Sequence, residues 1–106
     1  AEAAAVDPQQ RLLLESGYEA LHGAGRERGS LLSSLTGVFV AIAANDWAEI
    51  VKSSPMARSV YAATGSNHSI ASGRLSFVLG LQGPCAAYDT ACSAALVAGH
   101  AALRAL

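Results

Sequence analysis

Charged side chains are scarce in this chain. Seven lysines and arginines and eight aspartates and glutamates among 106 residues leave a net charge of −1. Without a basic surplus there is little electrostatic attraction to nucleic acid or to an anionic membrane surface. The chain also lacks an uninterrupted run of about 18 apolar residues, which a transmembrane helix needs. The opening AEAAAV has neither the basic start nor the long apolar core of a secretory signal. We therefore expect no nucleic acid and no membrane as a partner.

Cysteine is rare as well, since the chain holds only Cys85 and Cys92. If the segment between them is extended at about 3.3 Å per residue, their Cα atoms lie roughly 20 Å apart, whereas a disulfide needs less than about 7 Å. Neither a CxxC nor an HxxxH pattern accompanies them, so the sequence predicts no zinc site. These absences favour a reducing compartment. The expected location is cytoplasmic, with organelle targeting left open.

Apolar residues, by contrast, are abundant. They make up 52% of the chain, charged residues make up 14%, and the mean hydropathy is +0.33. This is apolar for a free-standing domain of this size, because small domains expose much of their surface. The composition suits interior segments that other parts of a protein cover. Residues 1–106 therefore suit one small domain or a piece of a larger one, and the apolar composition favours the piece.

Local signals predict alternating helices and strands. Asp7 followed by Pro8 is typical of a helix start, with Gln10 as the capping-box partner. The stretch 36–43, TGVFVAIA, predicts a strand covered on both faces, because its β-branched and aromatic residues do not strictly alternate with polar ones. The other predicted elements are a loop over 26–34, helices over 46–52 and 67–79, a strand over 85–88 and a final helix from 93 onward. This order predicts an α/β fold.

Two packing predictions accompany these helices. The first helix carries one apolar face at helical spacing, formed by Leu13, Leu14, Tyr18 and Leu21. Gly73 lies inside the predicted helix 67–79, where glycine costs about 1 kcal/mol relative to alanine. That cost indicates close packing at Gly73.

The stretch 83–96, GPCAAYDTACSAAL, combines a turn, a short strand and the start of a helix. Asp89 and Thr90 have side chains that commonly cap helices. Cys92 follows them at the junction of strand and helix, where the positive end of the helix dipole favours the nucleophilic thiolate. Unpaired backbone N–H groups of the first turn, including that of Cys92, could hold an oxyanion formed on attack. The alternative is a buried structural cysteine, because free cysteine is among the most buried residue types.

The segment DTACSAAL, preceded by GPCAAY, resembles the active-site segment of β-ketoacyl synthases, the condensing enzymes of polyketide and fatty acid synthesis. Their usual pattern is DTACSSSL, so Ala94 and Ala95 replace two serines here. Three further blocks resemble the family in the same order. They are DPQQRLLLE at 7–15, typical of type I modular ketosynthases, GVFV at 37–40, and SGRLSF at 72–77. The resemblance runs from about Val6 to Leu106.

This resemblance implies a thiolase-like fold with layered α-β-α-β-α architecture, of which the chain would hold an incomplete portion of the N-terminal half. In that family the strand before the cysteine pairs with its twofold mate. The segment Cys85 to Asp89 would then form the interface of a homodimer. Its small, uncharged side chains agree with this, because an exposed edge of that kind would otherwise invite aggregation.

The resemblance also implies the chemistry. Cys92 would accept an acyl group delivered on the phosphopantetheine of an acyl carrier protein, and a malonyl-type extender would then lose carbon dioxide and attack the acyl-cysteine. No cofactor would be bound directly, and no metal is expected. Whether the parent protein makes polyketides or fatty acids stays open, although DPQQR favours a type I polyketide synthase.

Family members also use two histidines and a lysine that follow the cysteine. The histidines of this chain, His22, His68 and His100, match none of those motifs, so we expect the 106 residues alone to be inactive in condensation. We expect His22 to be solvated and His100 to be a packing residue. Two alternatives remain: a non-catalytic ketosynthase-like scaffold or dimer subunit, and a hydrolase with a nucleophile elbow. The elbow is disfavoured because Thr90 and Ala94 stand where it requires glycines.

Overall fold

Two short parallel strands run through the middle of the molecule, which a computed structural model describes over residues 2–106. They are β1, Val38–Ala41, and β2, Cys85–Tyr88, with Val38 opposite Cys85 and Ala41 opposite Tyr88. Parallel strands need a crossover connection, and three helices lie between these two. The strand predicted over 36–43 is therefore present but shorter, because only its central residues pair with β2.

Seven helices surround the two strands in residues 2–106. In chain order they are α1 Glu2–Ala5, α2 Pro8–Gly23, α3 Arg28–Leu31, α4 Asp46–Lys52, α5 Ala62–Ser66, α6 Ser69–Val78 and α7 Ala94–Arg104. Short 3-10 helices occupy Pro55–Arg58 and Ala91–Ser93. The mixed order of helices and strands confirms the predicted α/β class.

The core lies between the strands and α6, with α2 packed on the outer side of α6. Its buried members are Leu31, Val38, Val40, Ile42, Ala71, Leu79 and Leu81. Val38, Val40 and Ile42 alternate along the chain, so their side chains all face the α6 side. Helix α7 also contacts both strands but contributes nothing to this cluster, which indicates that it covers the opposite face. Strand β1 is thus sandwiched between helices, as its unbroken apolar sequence predicted.

Two predicted segments are built differently. The expected loop 26–34 contains the short helix α3, because its Leu31 is 5% exposed and belongs to the core. The helix predicted over 67–79 is α6, preceded by the separate helix α5. Asn67 divides the two: its backbone is extended, and its Oδ1 accepts from the N–H of Ser69 at 3.1 Å. The N-cap position of α6 is His68, without a side-chain cap, so Asn67 supports the first residue of the helix from one position further upstream than predicted.

The packing predictions for α2 and α6 are partly wrong. Leu13 and Leu21 pack against the core as predicted, whereas Tyr18 is 57% exposed and stacks on the His22 ring with centroids 6.1 Å apart. Gly73 has no atom within 4 Å of the position that a Cβ would occupy, so close packing does not explain it. The tight position in these helices is Gly17, where a Cβ would lie 3.1 Å from Leu75.

A buried group of polar side chains, which we call the polar junction, joins α2, α5 and α6. It consists of Asp7, Gln10 and Arg74, and the first two are only 2% exposed. Gln10 is not the capping-box partner that the sequence predicts. Its Nε2 lies 3.2 to 3.3 Å from three carbonyl oxygens, those of Thr64, Gly65 and Asn67. Its Oε1 accepts from Nε of Arg74 at 2.9 Å, so the amide is fully used inside the fold.

Candidate active site

The end of β2, a tight turn and the start of α7 hold Cys92. We call residues 89–93 the cysteine turn. The chain leaves β2 at Tyr88, forms the 3-10 helix Ala91–Ser93, and enters α7 at Ala94. Cys92 is therefore at the junction of strand and helix, and its side chain is exposed. The alternative of a buried structural cysteine does not hold within the residues described.

Hydrogen bonds inside the cysteine turn link residues that are two or three positions apart. Oδ1 of Asp89 accepts from the N–H of Ala91 at 3.2 Å. The carbonyl oxygen of Thr90 accepts from the N–H of Ser93 at 3.2 Å and from its hydroxyl at 2.8 Å. The two hydroxyl oxygens of Thr90 and Ser93 lie 2.9 Å apart. Asp89 and Thr90 thus stabilise the turn, and the prediction that they cap α7 is wrong, since α7 has no side-chain cap.

Ala91 adopts a left-handed backbone conformation, with φ of 52°. For a residue with a Cβ this conformation costs about 1–2 kcal/mol. Left-handed residues other than glycine concentrate in turns and at functional sites. Here the unusual angle lies immediately before Cys92, and it lets the chain reverse from the strand into the helix.

The backbone N–H of Cys92 donates to no other group within residues 2–106. It lies at the same exposed turn as the sulfur, as expected of a donor that could receive an oxyanion. Cys85 is also exposed, and both cysteines are free thiols. A cleft of about 170 Å³ beside β2 is lined by Cys85, Tyr88 and Asp89 and does not reach Cys92. The Cys92 sulfur thus lies on an open surface.

None of the three histidines is brought to Cys92 by a hydrogen bond or ion pair within residues 2–106. Nε2 of His68 lies 2.8 Å from the carbonyl oxygen of Ala44, which can only accept, so this nitrogen donates. His22 is exposed as predicted. His100 is exposed too, so its predicted packing role is wrong. It lies on α7 on a side that neither strand covers, because the buried residues of that helix are Ala94 and Ala98.

Sequence reasoning missed the hydroxyl pair of Thr90 and Ser93 and the left-handed Ala91. A signal for the pair was present, because hydroxyl side chains often bond to backbone groups three residues away. No signal for Ala91 was present, since alanine has no preference for a left-handed turn. Among the residues that the structure describes, no three His, Cys, Asp or Glu side chains come together in a way that could hold a metal ion. No helix in that range is both long and apolar enough to cross a membrane.

Comparison with protein-family models settles the resemblance. The model for the β-ketoacyl synthase N-terminal domain matches residues 1–106. The chain belongs to the β-ketoacyl synthase family. It is similar to a phenolphthiocerol/phthiocerol polyketide synthase of Mycobacterium tuberculosis, with 48% identity over 105 residues, or 99% of this chain and 7% of that protein. It is equally similar to the polyketide synthase GfsB of Streptomyces halstedii, with 48% identity over 99% of this chain and 2% of that protein.

Solved ketosynthase structures share the fold. The ketosynthase from module 6 of the bacillaene synthase of Bacillus subtilis 168 matches with a TM-score of 0.80 and 34% identity, over 95% of this chain and 16% of that one. The oxazolomycin ketosynthase domain of Streptomyces albus JA3453 matches with a TM-score of 0.82 and 36% identity, over 98% of this chain and 18% of that one. The predicted thiolase-like fold is confirmed, as is the resemblance to polyketide synthase ketosynthases. The chain spans a small part of each relative.

Proposed function

We propose that residues 1–106 are part of one ketosynthase domain, in which Cys92 accepts the growing acyl chain. Its thiolate attacks the carbonyl of an acyl thioester, the carbon–sulfur bond to the carrier breaks, and the departing carrier thiolate takes up a proton. A malonyl-type extender then loses carbon dioxide, and the resulting carbanion attacks the acyl-cysteine carbonyl. A carbon–carbon bond forms, and the Cys92 thiolate leaves.

The observation that carries this proposal is the exposed sulfur in a strand–turn–helix junction with a free backbone N–H. Sulfur suits both halves of the reaction, because a thiolate is a strong nucleophile and a tolerable leaving group. The N–H of Cys92 would stabilise the oxyanion that forms when the thioester carbonyl is attacked. Glutamine in place of the cysteine, found in decarboxylating members of the family, is not present here.

The partners we propose follow from the same chemistry. An acyl carrier protein would present both thioesters on its phosphopantetheine arm, and an open surface at Cys92 leaves room for a long, flexible substrate. A second copy of the protein would pair along Cys85 to Asp89. Within residues 2–106 the sheet contains only β1 and β2, so one edge of β2 has no strand partner. Sedimentation of the polypeptide as a monomer would contradict the pairing.

Loading with acyl groups tests the role of Cys92. The polypeptide that carries this chain is incubated with an acyl-pantetheine thioester, and the acylated residue is identified by peptide mass spectrometry. Cys92→Ala should reduce loading by at least about a thousandfold, as expected for a missing nucleophile. Cys85→Ala is the matched control, because Cys85 is the other exposed thiol and lies at the opposite end of β2. It should load within twofold of the wild type.

Two results would contradict the proposal. One is acyl transfer to Cys85, and the other is unchanged loading in Cys92→Ala. The 106 residues alone should form no carbon–carbon bond, because His22, His68 and His100 match none of the histidine motifs that the family uses. A condensation product from the isolated chain would overturn that expectation.

A further inference from the structure

We propose that the hydroxyls of Thr90 and Ser93 are positioning groups that fix the Cys92 sulfur for attack; this rests on the function proposed above. The two residues flank the pair Ala91 and Cys92. Three contacts connect them across that pair: the backbone bond from Ser93 to Thr90, the hydroxyl bond from Ser93 to the same carbonyl oxygen, and the contact between the two hydroxyls. We call this set of contacts the hydroxyl clamp.

The clamp has a defined direction of donation. Ser93 carries one hydroxyl hydrogen, and at 2.8 Å from the Thr90 carbonyl oxygen that hydrogen has an acceptor with no hydrogen of its own. The same hydroxyl also donates to Oγ1 of Thr90 at 2.9 Å, so its single hydrogen is shared between two oxygens of Thr90. Removing the Ser93 hydroxyl therefore releases both side-chain contacts. Removing the Thr90 hydroxyl releases only the second and leaves the bond to the carbonyl oxygen.

The turn needs such support because other restraints are weak there. Ala91 is held in a left-handed conformation that costs about 1–2 kcal/mol. Helix α7 begins at Ala94 without a side-chain cap. Residues 89–93 are all exposed, so water competes for every hydrogen bond in the cysteine turn. The clamp and the Asx contact from Asp89 are the side-chain bonds of this turn, and only the clamp encloses Cys92.

The consequence of losing the clamp should be a change of rate more than of affinity. Without the clamp the Cys92 sulfur would still be exposed and accessible to the substrate. It would, however, sample several orientations relative to the thioester carbonyl. Misplacement of a reacting group by about 1 Å can cost up to a hundredfold in rate. Binding of the substrate arm does not depend on the direction of the sulfur. The concentration of acyl thioester that gives half-maximal loading should therefore change little.

Acyl loading of the polypeptide that carries this chain separates these effects. Ser93→Ala should lower the loading rate at saturating acyl-pantetheine by about tenfold, with the half-saturation concentration within twofold. Ser93→Thr keeps a hydroxyl and should regain most of the rate. Thr90→Val, which keeps the shape of the side chain and the carbonyl acceptor of Ser93, should lower the rate less than Ser93→Ala does, and Thr90→Ser should match the wild type.

Ser30→Ala is a matched control. The hydroxyl of Ser30 donates to the carbonyl oxygen of Glu27 at 2.8 Å, and its N–H donates to the same oxygen at 3.0 Å. This is the same local bond, three residues apart and exposed, in a turn that holds no cysteine. Ser30→Ala should load at the wild-type rate. If Ser93→Ala and Thr90→Val load as fast as Ser30→Ala, the positioning role is overturned.

Alkylation by iodoacetamide keeps this result separate from the proposed function. If the wild type takes up no acyl group at Cys92, the proposed function fails, and the alkylation rate of Cys92 itself still reports on the clamp. Ser93→Ala should change that rate several-fold relative to the wild type, and Ser30→Ala should not. An unchanged rate overturns the positioning role. A general loss of structure would lower the midpoint of thermal unfolding and raise the half-saturation concentration of the acyl thioester. Ser93→Thr would not selectively restore these two values.

Discussion

The polar junction and the cysteine turn are both built from hydrogen bonds to carbonyl oxygens, yet they differ in reach and in burial. Gln10 is buried and contacts groups more than fifty residues away, one of them the partly buried Arg74. The bonds of the cysteine turn span two or three residues and lie in water. A buried polar group without a partner is costly, whereas an exposed one is satisfied by solvent. The junction should therefore determine stability, and the turn should determine the geometry of one sulfur.

The largest expected effect comes from Gly65→Ala at the edge of the polar junction. A Cβ on Gly65 would overlap the carbonyl oxygen of Ala5 and lie 2.8 Å from the carbon of that carbonyl. Both are backbone atoms, so α1 and α5 would have to separate. The same shift would stretch the bond from Asp7 N–H to the Gly65 carbonyl oxygen, now 2.7 Å. We expect a loss of about 3 kcal/mol in the free energy of unfolding, measured by denaturant titration.

Gly73→Ala is the control for that substitution. It adds the same methyl group inside α6, where nothing lies within 4 Å. It should stabilise the protein by about 1 kcal/mol, through the higher helix propensity of alanine. Opposite signs at the two glycines would show that contact, and not glycine content, decides the outcome. Equal destabilisation of both variants would contradict this account.

The second largest loss of stability is expected for Gln10→Leu, which removes the amide from the centre of the polar junction. Leucine has a similar volume, but it leaves Nε of Arg74 without its acceptor. The carbonyl oxygens of Thr64, Gly65 and Asn67 each lose one donor and keep another. Leaving a charged nitrogen unpaired in this partly buried place should cost about 2 kcal/mol of unfolding free energy. Chemical or thermal unfolding measures it.

The exposed ion pair of Lys52 and Glu49 provides the comparison for Gln10→Leu. Its charged atoms are 3.4 Å apart and both side chains are 74% exposed. Lys52→Ala should change the unfolding free energy by less than about 0.5 kcal/mol. If the two variants were equally destabilised, burial would not be what distinguishes the junction.

Ala91→Gly in the cysteine turn should affect stability less than either Gly65→Ala or Gln10→Leu. Glycine relieves the left-handed strain of about 1–2 kcal/mol, but it adds about 0.4–1 kcal/mol of unfolded-state entropy. The net result should be stabilisation by about 0.5 kcal/mol. Acyl loading should fall nonetheless, because glycine lets the turn move. Thermal unfolding measures the change in stability, and the acyl-loading assay measures the change in rate. A loss of stability in Ala91→Gly would show that the left-handed conformation of Ala91 is not strained.

The helix and strand boundaries that depend on neighbouring residues could be predicted from the sequence. Asp7 followed by Pro8 begins α2, Asn67 lies two residues before the start of α6, and the strand-to-helix change around Cys92 follows from the apolar run and the alanine-rich helix. These features depend on residues within a few positions of one another, so the order of residues along the chain is sufficient to predict them.

Features that depend on distant partners could not be predicted in the same way. The role of Gln10 is decided by carbonyl oxygens in and after α5, which its local sequence does not reveal. The helical turn at Leu31 forms because the core needs that side chain. Exposure of His100 depends on which side of α7 meets the strands. The placement of Cys92 was predictable, but the angle of Ala91 was not.

The parallel pairing of β1 with β2 has a consequence for how the chain is made. A ribosome releases β1 first, and its partner strand appears only after α4, α5 and α6 have been synthesised. Such non-local pairing is slow to form and leaves a strand exposed in the meantime. Helices α2 and α6 can already pack on each other in that interval and cover one side of Val38 and Val40. A nascent chain stalled before Cys85 would thus present Val38–Ala41 with both edges open, as a template on which another extended chain could pair.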